Sequence, residues 1–472
     1  MTTTRHDTDY RLGFRTLDHE AGPVRLPVRG TFPDWLAGTL LRTGPAKFEV
    51  GARSFNHWFD GLAMLHRFSF GGGAVTYANR FVRSPDYEAA RATGQMCYAE
   101  FATDPCRSLF RRVATAFSPP RFGHNANVNV IRFGQEFLAL TETPLPVAFD
   151  PQTLDTLGVA APAPGQLTVA HPHRSPASGE LISYATHFGP VSAYRVYTRA
   201  SARAPHRVLV TLHAPRPAYM HSFAITERYA VLAEFPLVVT PVAIPLSGRP
   251  FIENYRWEPG RGTRFRIIDV QAGRLQATGH GEAFFAFHHV NAYQRGRELV
   301  LDVCAYDDAS IVGALRLDRL RSGSPGLPAP RLRRYLVPLN GGQVRREDLA
   351  DTSLELPRID YSRSNGRCYR YAYGVRAAQD GDFLNQIVKI DVDGGEPAVW
   401  SEPGTYPGEP VFVPAPGGRR EDSGVLLSVV LEPASGGSFL LVLDASSLGE
   451  LARARLPHHV PFGFHGTYAG RT

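Results

Sequence analysis

The residues best suited to chemistry are histidines set in apolar, strand-like surroundings. His288 and His289 close the run Phe284-Phe285-Ala286-Phe287 and lead into Val290-Asn291-Ala292-Tyr293. His171 and His173 share Ala170-His171-Pro172-His173, and His221 stands in Tyr219-Met220-His221-Ser222-Phe223. His465 lies in Pro461-Phe462-Gly463-Phe464-His465-Gly466-Thr467. An imidazole among aromatics serves a plain core poorly and a buried metal well. For any one of the 17 histidines the ordinary reading is a capped or solvated side chain. His57, His66, His124, His187, His458 and His459 stay under that reading. His289 follows His288 and, in a strand, faces the other way. His173 can share the face of His171, so spacing leaves that pair open.

A neutral imidazole ligand needs an acceptor on its second ring nitrogen, commonly a carboxylate. Three glutamates stand in equally apolar settings: Glu142 in Leu140-Thr141-Glu142-Thr143-Pro144, Glu355 in Leu354-Glu355-Leu356-Pro357, and Glu409 in Tyr406-Pro407-Gly408-Glu409-Pro410. Each alone could sit at a strand end in solvent. Beside four comparable histidines they favour a metal centre. Four neutral ligands would leave the 2+ charge of iron(II) intact and two octahedral positions open, whereas zinc prefers tetrahedral closure or a three-ligand catalytic site. The chain has no HExxH, P-loop, GxSxG or dinucleotide motif.

The elements that must position these groups read as strands. Apolar runs recur from Gly30 to the end, among them Val128–Ile131, Phe137–Leu140, Leu181–Tyr184, Tyr229–Leu232, Phe265–Ile268 and Val425–Val430. Gly71-Gly72-Gly73, Asn340-Gly341-Gly342 and Gly436-Gly437 read as hairpin links. Only Tyr87–Thr93 and Pro105–Ala116 look helical, and Ser322–Pro330 and Pro414–Gly424 read as surface insertions. Residues 1–25 are polar and are expected to form an N-terminal arm across the surface. Residues 26–472 show no linker and are expected to form one catalytic domain. Many short strands around one core predict a propeller or a large barrel. His171 to His221 and His221 to His288 are each roughly one four-stranded blade. In a propeller, one histidine per blade would converge on the axis without any local ligand motif.

Composition narrows the function classes. The net charge of +7 is carried almost wholly by arginine, since Lys47 and Lys389 are the only lysines. This bias suits a GC-rich genome, and no basic run interleaved with aromatics points to nucleic acid. Cys97, Cys106, Cys304 and Cys368 lack CxxC spacing and read as reduced thiols. Met1–Asp7 carries no apolar signal segment, and no stretch supplies eighteen clean apolar residues, so a cytoplasmic chain with at most peripheral membrane contact is expected.

Taken together the motifs resemble the carotenoid cleavage oxygenase family, in particular its animal-type branch of β-carotene oxygenases and the retinal pigment epithelium isomerohydrolase. The likeness runs from Gly30 to Tyr468. Its carriers are Leu40–Pro45, Phe48–Gly51, Asn56–Gly61 and Thr141–Thr143, with the histidine and glutamate stretches quoted above. The resemblance implies an all-β, seven-bladed β-propeller with iron(II) on its axis and a helical and loop cap over that face. It implies His171, His221, His288 and His465 as ligands, with Glu142, Glu355 and Glu409 orienting three of them. It places Val128 near the open side of the metal. Thr141 stands where stilbene-cleaving relatives carry lysine, which points to a polyene. The implied reaction is cleavage of a conjugated C=C bond of a carotenoid or apocarotenoid by O2 into two carbonyl products. The rivals are a non-oxidative retinoid isomerase or ester-cleaving relative, and a non-catalytic apocarotenoid-binding propeller. Residues 106–117, with a basic and an apolar face, and the apolar run 236–246 are the expected sites of peripheral membrane contact.

Overall fold

The computed structural model describes residues 9–104 and 123–470. Seven sheets of four to six strands, antiparallel but for the short strand Gly342–Gln343 added parallel to the edge of one, follow one another around a central axis and make a seven-bladed β-propeller. Blade 1 holds Gly38–Lys47, Leu62–Gly71 and Ala74–Phe81; blade 2 runs from Asn129–Phe133 to Thr156–Val159, and blade 3 from Leu167–Thr168 to Arg207–His213. Blade 4 runs from Ala224–Ile225 to Arg274–Gly281, blade 5 from Phe285–Arg295 to Arg345–Ser353, blade 6 from Glu355–Arg358 to Ala398–Ser401, and blade 7 from Tyr406–Pro407 to Glu450–Arg455.

Both chain ends close the ring. Near the start of the chain, Val28–Gly30 adds to the outer strand of blade 7, pairing Val28 with Ala454. Near its end, Gly466–Gly470 pairs with Gly38–Lys47 and so becomes the inner strand of blade 1. Closure leaves no seam at which an unpaired inner edge meets solvent.

Strand composition follows radial position. Middle strands such as Gly424–Glu432 are covered on both faces by adjacent blades, so their sequence is a nearly unbroken apolar run. The outer strand Arg345–Ser353 is largely exposed and polar. The core is accordingly a ring of sheet-on-sheet interfaces: Leu40, Phe68, Leu427 and Leu440 join blades 1 and 7, and Val300, Leu336, Val388 and Ile390 join blades 5 and 6.

The expected hairpins at Gly71–Gly73 and Gly436–Gly437 form, and Asn340–Gly342 lies between the paired strands Arg331–Pro338 and Arg345–Ser353. The segment 414–424 is a hairpin link, because Val411–Pro414 pairs with Gly424–Glu432. The helix Pro85–Thr93 starts at a Ser84 cap and ends on Gly94 in the left-handed conformation. The second helical expectation, 105–116, lies outside the described residues. From Tyr10 to Leu17 the expected surface arm is an inward-packed segment: Tyr10, Leu12 and Phe14 join the central cluster beside Trp58 and Phe462, where their apolar side chains are removed from water.

Candidate metal centre

Each histidine reaches the axis from a different blade. His288 lies on the inner strand of blade 5, where the pairing slips between Ala286 and His289. This bulge re-aims side chains, so consecutive Phe287 and His288 both line the same cavity, while His289 turns to the Ser222 hydroxyl, 2.9 Å away. His171 stands between the inner strands of blade 3, His221 just before Ala224–Ile225 of blade 4, and His465 just before the closing strand Gly466–Gly470. The open choice at 171 and 173 is resolved by their partners: His173 lies 3.0 Å from the Phe223 carbonyl and 3.1 Å from the Tyr361 hydroxyl.

The four side chains present ligand nitrogens within 4.8 Å of one another. The Nε2 atoms of His171 and His221 are 3.1 Å apart, and those of His288 and His465 are 3.0 Å apart. Three Nδ1–H groups donate to buried carboxylates: His221 to Glu142 at 2.7 Å, His288 to Glu355 at 2.6 Å, and His465 to Glu409 at 2.6 Å. That tautomer leaves each Nε2 lone pair aimed at the common centre. Burial, with the other histidines adding to it, holds His171 and His465 well below the usual histidine range, so both are neutral. Burial raises Glu355, but its bond and proximity to His288 more than offset this and keep it ionised. Lone pairs facing one another at this range repel unless a cation lies between them. Two nitrogens bound at right angles, each about 2.1 Å from one ion, lie about 3.0 Å apart, against about 3.4 Å in a tetrahedron. The four histidines therefore fit a shared metal ion.

Behind each carboxylate stands a further donor that spacing gave no reason to select. The Tyr219 hydroxyl donates to Glu142, 2.9 and 3.1 Å from its two oxygens, and the Tyr306 hydroxyl donates to Glu355 at 2.9 Å. Glu409 accepts from the Arg358 guanidinium at 3.0 Å and from the Gly466 amide at 2.9 Å. Glu355 also accepts from the amide of Leu356 at 2.8 Å. The only sequence signal was proximity: Tyr219 precedes His221 by two, and Arg358 follows Glu355 by three.

An apolar cavity of about 820 Å³, partly open to solvent, begins at His221, His288 and His465. Trp58, Phe59, Phe287, Tyr306, Phe383 and Phe464 line it, and it extends to Leu327–Pro330 and Gly381–Leu384. The expected surface insertion Ser322–Pro330 thus supplies part of a cavity wall. Val128 lines the cavity, and its carbonyl accepts the His465 amide. Thr141, partly exposed, does not line it, and no residue of 236–246 does.

The fold and this centre define a metal-binding propeller of a known kind. The family model described as retinal pigment epithelial membrane protein matches residues 14–470, and the chain belongs to this family of carotenoid cleavage oxygenases. It is 34% identical over 531 residues to the mitochondrial carotenoid-cleaving dioxygenase of Pongo abelii, covering 96% of this chain and 93% of that one. It is 35% identical over 483 residues to the carotenoid isomerooxygenase of Galleria mellonella, covering 95% and 94%. A cobalt-substituted Synechocystis apocarotenoid oxygenase superposes with a TM-score of 0.86 at 27% identity, covering 98% of both chains. An apocarotenoid oxygenase/RPE65 chimera gives the same TM-score, identity and coverage.

Proposed function

We propose that this chain is a non-haem iron(II) dioxygenase that cleaves a conjugated C=C bond of a carotenoid or apocarotenoid, using O2 to give two carbonyl products. The observation that carries this reading is the convergence of four imidazole Nε2 atoms, three of them on histidines that line an aromatic cavity. The substrate class comes from the relatives named above.

His171, His221, His288 and His465 would hold the iron, four neutral donors that leave positions for other ligands. Bound there, iron(II) supplies the centre at which O2 is activated, and the alkene supplies the electrons. Glu142, Glu355 and Glu409 fix three imidazoles by accepting their Nδ1 protons, which preserves the ligand tautomer and raises donor strength. Phe59, Phe287 and Phe464 exclude water and offer flat faces to a polyene. Val128 narrows the space beside His465. Both O atoms end in the two carbonyls, so no nicotinamide or flavin is needed.

The test is turnover of iron-loaded protein with β-carotene and apocarotenals in mild detergent under 18O2. Labelled, mass-matched carbonyl pairs are expected. Isomerised or hydrolysed retinoids without label would replace the reading with its non-oxidative rival.

A lipid-soluble substrate extends the proposal to peripheral membrane contact. No helix among the described residues is long and apolar enough to span a bilayer. Support comes from 236–246, where Val242 and Leu246 are 62% and 74% exposed; the other expected segment, 106–117, lies outside the described residues. Val242→Asp with Leu246→Asp should reduce flotation with phosphatidylcholine vesicles, and unchanged flotation would remove 236–246 from the contact.

A further inference from the structure

The three carboxylates are not supported alike: Glu355 itself lines the cavity, and so does the one side chain, Tyr306, that donates to it from behind. Tyr306 ends the strand Glu298–Tyr306 and pairs with Phe285 on the inner strand of blade 5. Its ring lines the cavity and meets Phe287 edge-on at 6.2 Å, while its hydroxyl donates to Glu355 at 2.9 Å. The other oxygen of Glu355 accepts from His288 at 2.6 Å. Tyr219 bonds Glu142 in the same manner, but it is fully buried behind the site and does not line the cavity. Arg358, at Glu409, likewise stands outside the cavity lining.

We propose that Tyr306 is a positioning residue that couples occupation of the cavity to the metal ligand His288 through Glu355. This rests on the metal-dependent polyene reading above and deepens it. A rigid polyene lying against Phe287 and the Tyr306 ring restricts that ring to fewer positions. The phenol is thereby held on Glu355, the carboxylate on Nδ1–H of His288, and the imidazole on the ion. Coupling of two binding events is reciprocal, so bound polyene should tighten metal and bound metal should tighten polyene by the same factor. Leu356 also lines the cavity and reaches Glu355, but through its backbone amide, which side-chain substitution leaves in place.

The experiment titrates cobalt(II) into metal-free protein under argon, with and without β-apocarotenal in detergent micelles, following the cobalt d–d absorption. In the unaltered protein the apocarotenal is expected to tighten cobalt about fivefold or more. Tyr306→Phe keeps the ring and should reduce this factor below about twofold. Tyr219→Phe should weaken cobalt binding equally with and without apocarotenal and leave the factor intact. Coupling that persists in Tyr306→Phe, vanishes equally in both variants, or is missing from the unaltered protein overturns the proposal. Cobalt-loaded protein that binds no apocarotenal at all would instead overturn the substrate reading.

Discussion

An imidazole ligand is only as well placed as the group on its far nitrogen. His221, His288 and His465 each have a buried carboxylate within 2.7 Å, whereas His171 has none among the described residues. Removing a ligand and removing its support should therefore differ in degree. His221→Ala or His465→Ala should abolish metal retention and turnover while circular dichroism still shows an intact propeller; full activity in either would remove that ligand. Glu409→Gln keeps the shape but presents an amide to Nδ1–H, and should weaken metal binding about 10- to 100-fold. Isothermal titration with a divalent metal measures both.

At the scale of elements, the closing strand sets the position of His465. A Cβ on Gly466 would lie 2.5 Å from Arg42 Cγ and 2.8 Å from the Leu41 carbonyl. Gly466→Ala should thus cost about 1–3 kcal/mol in denaturant unfolding and lower metal occupancy, since the same residue's amide holds Glu409. A second element-scale effect lies under the turn Trp58–Asp60, which carries Phe59 into the cavity. Burial pushes the Asp60 carboxyl up to about 7, against the opposing bonds from Thr103 and Ala102. A folded value above the unfolded one means that stability is greatest with the proton on and is lost as pH rises through about 7. The melting temperature should fall from about pH 4 to about pH 7 and level off above that, and Asp60→Asn should flatten that fall. An unchanged slope in Asp60→Asn would assign it to other groups.

At the scale of the whole molecule, seven sheets share one core only because the ring is closed. Ending the chain after His465 removes Gly466–Gly470 and exposes the inner edge of Gly38–Lys47. Such a chain should lose its cooperative melting transition and aggregate; a sharp, unshifted transition would show that closure contributes little.

The sequence by itself determined the strand-rich class, the histidines and glutamates in apolar settings, and, through their ordered resemblance to one family, the propeller. These are local properties of composition, alternation and motif. Spacing left His171 and His173 open and only the resemblance chose between them; the tertiary structure supplies the physical reasons, a bulge at Phe287–His288 and the Tyr361 and Phe223 partners of His173, which are long-range facts. It also decided the outer supports. Tyr219, Tyr306 and Arg358 stand 77, 49 and 51 residues from the carboxylates they hold. No periodicity encodes a contact made from one blade to another.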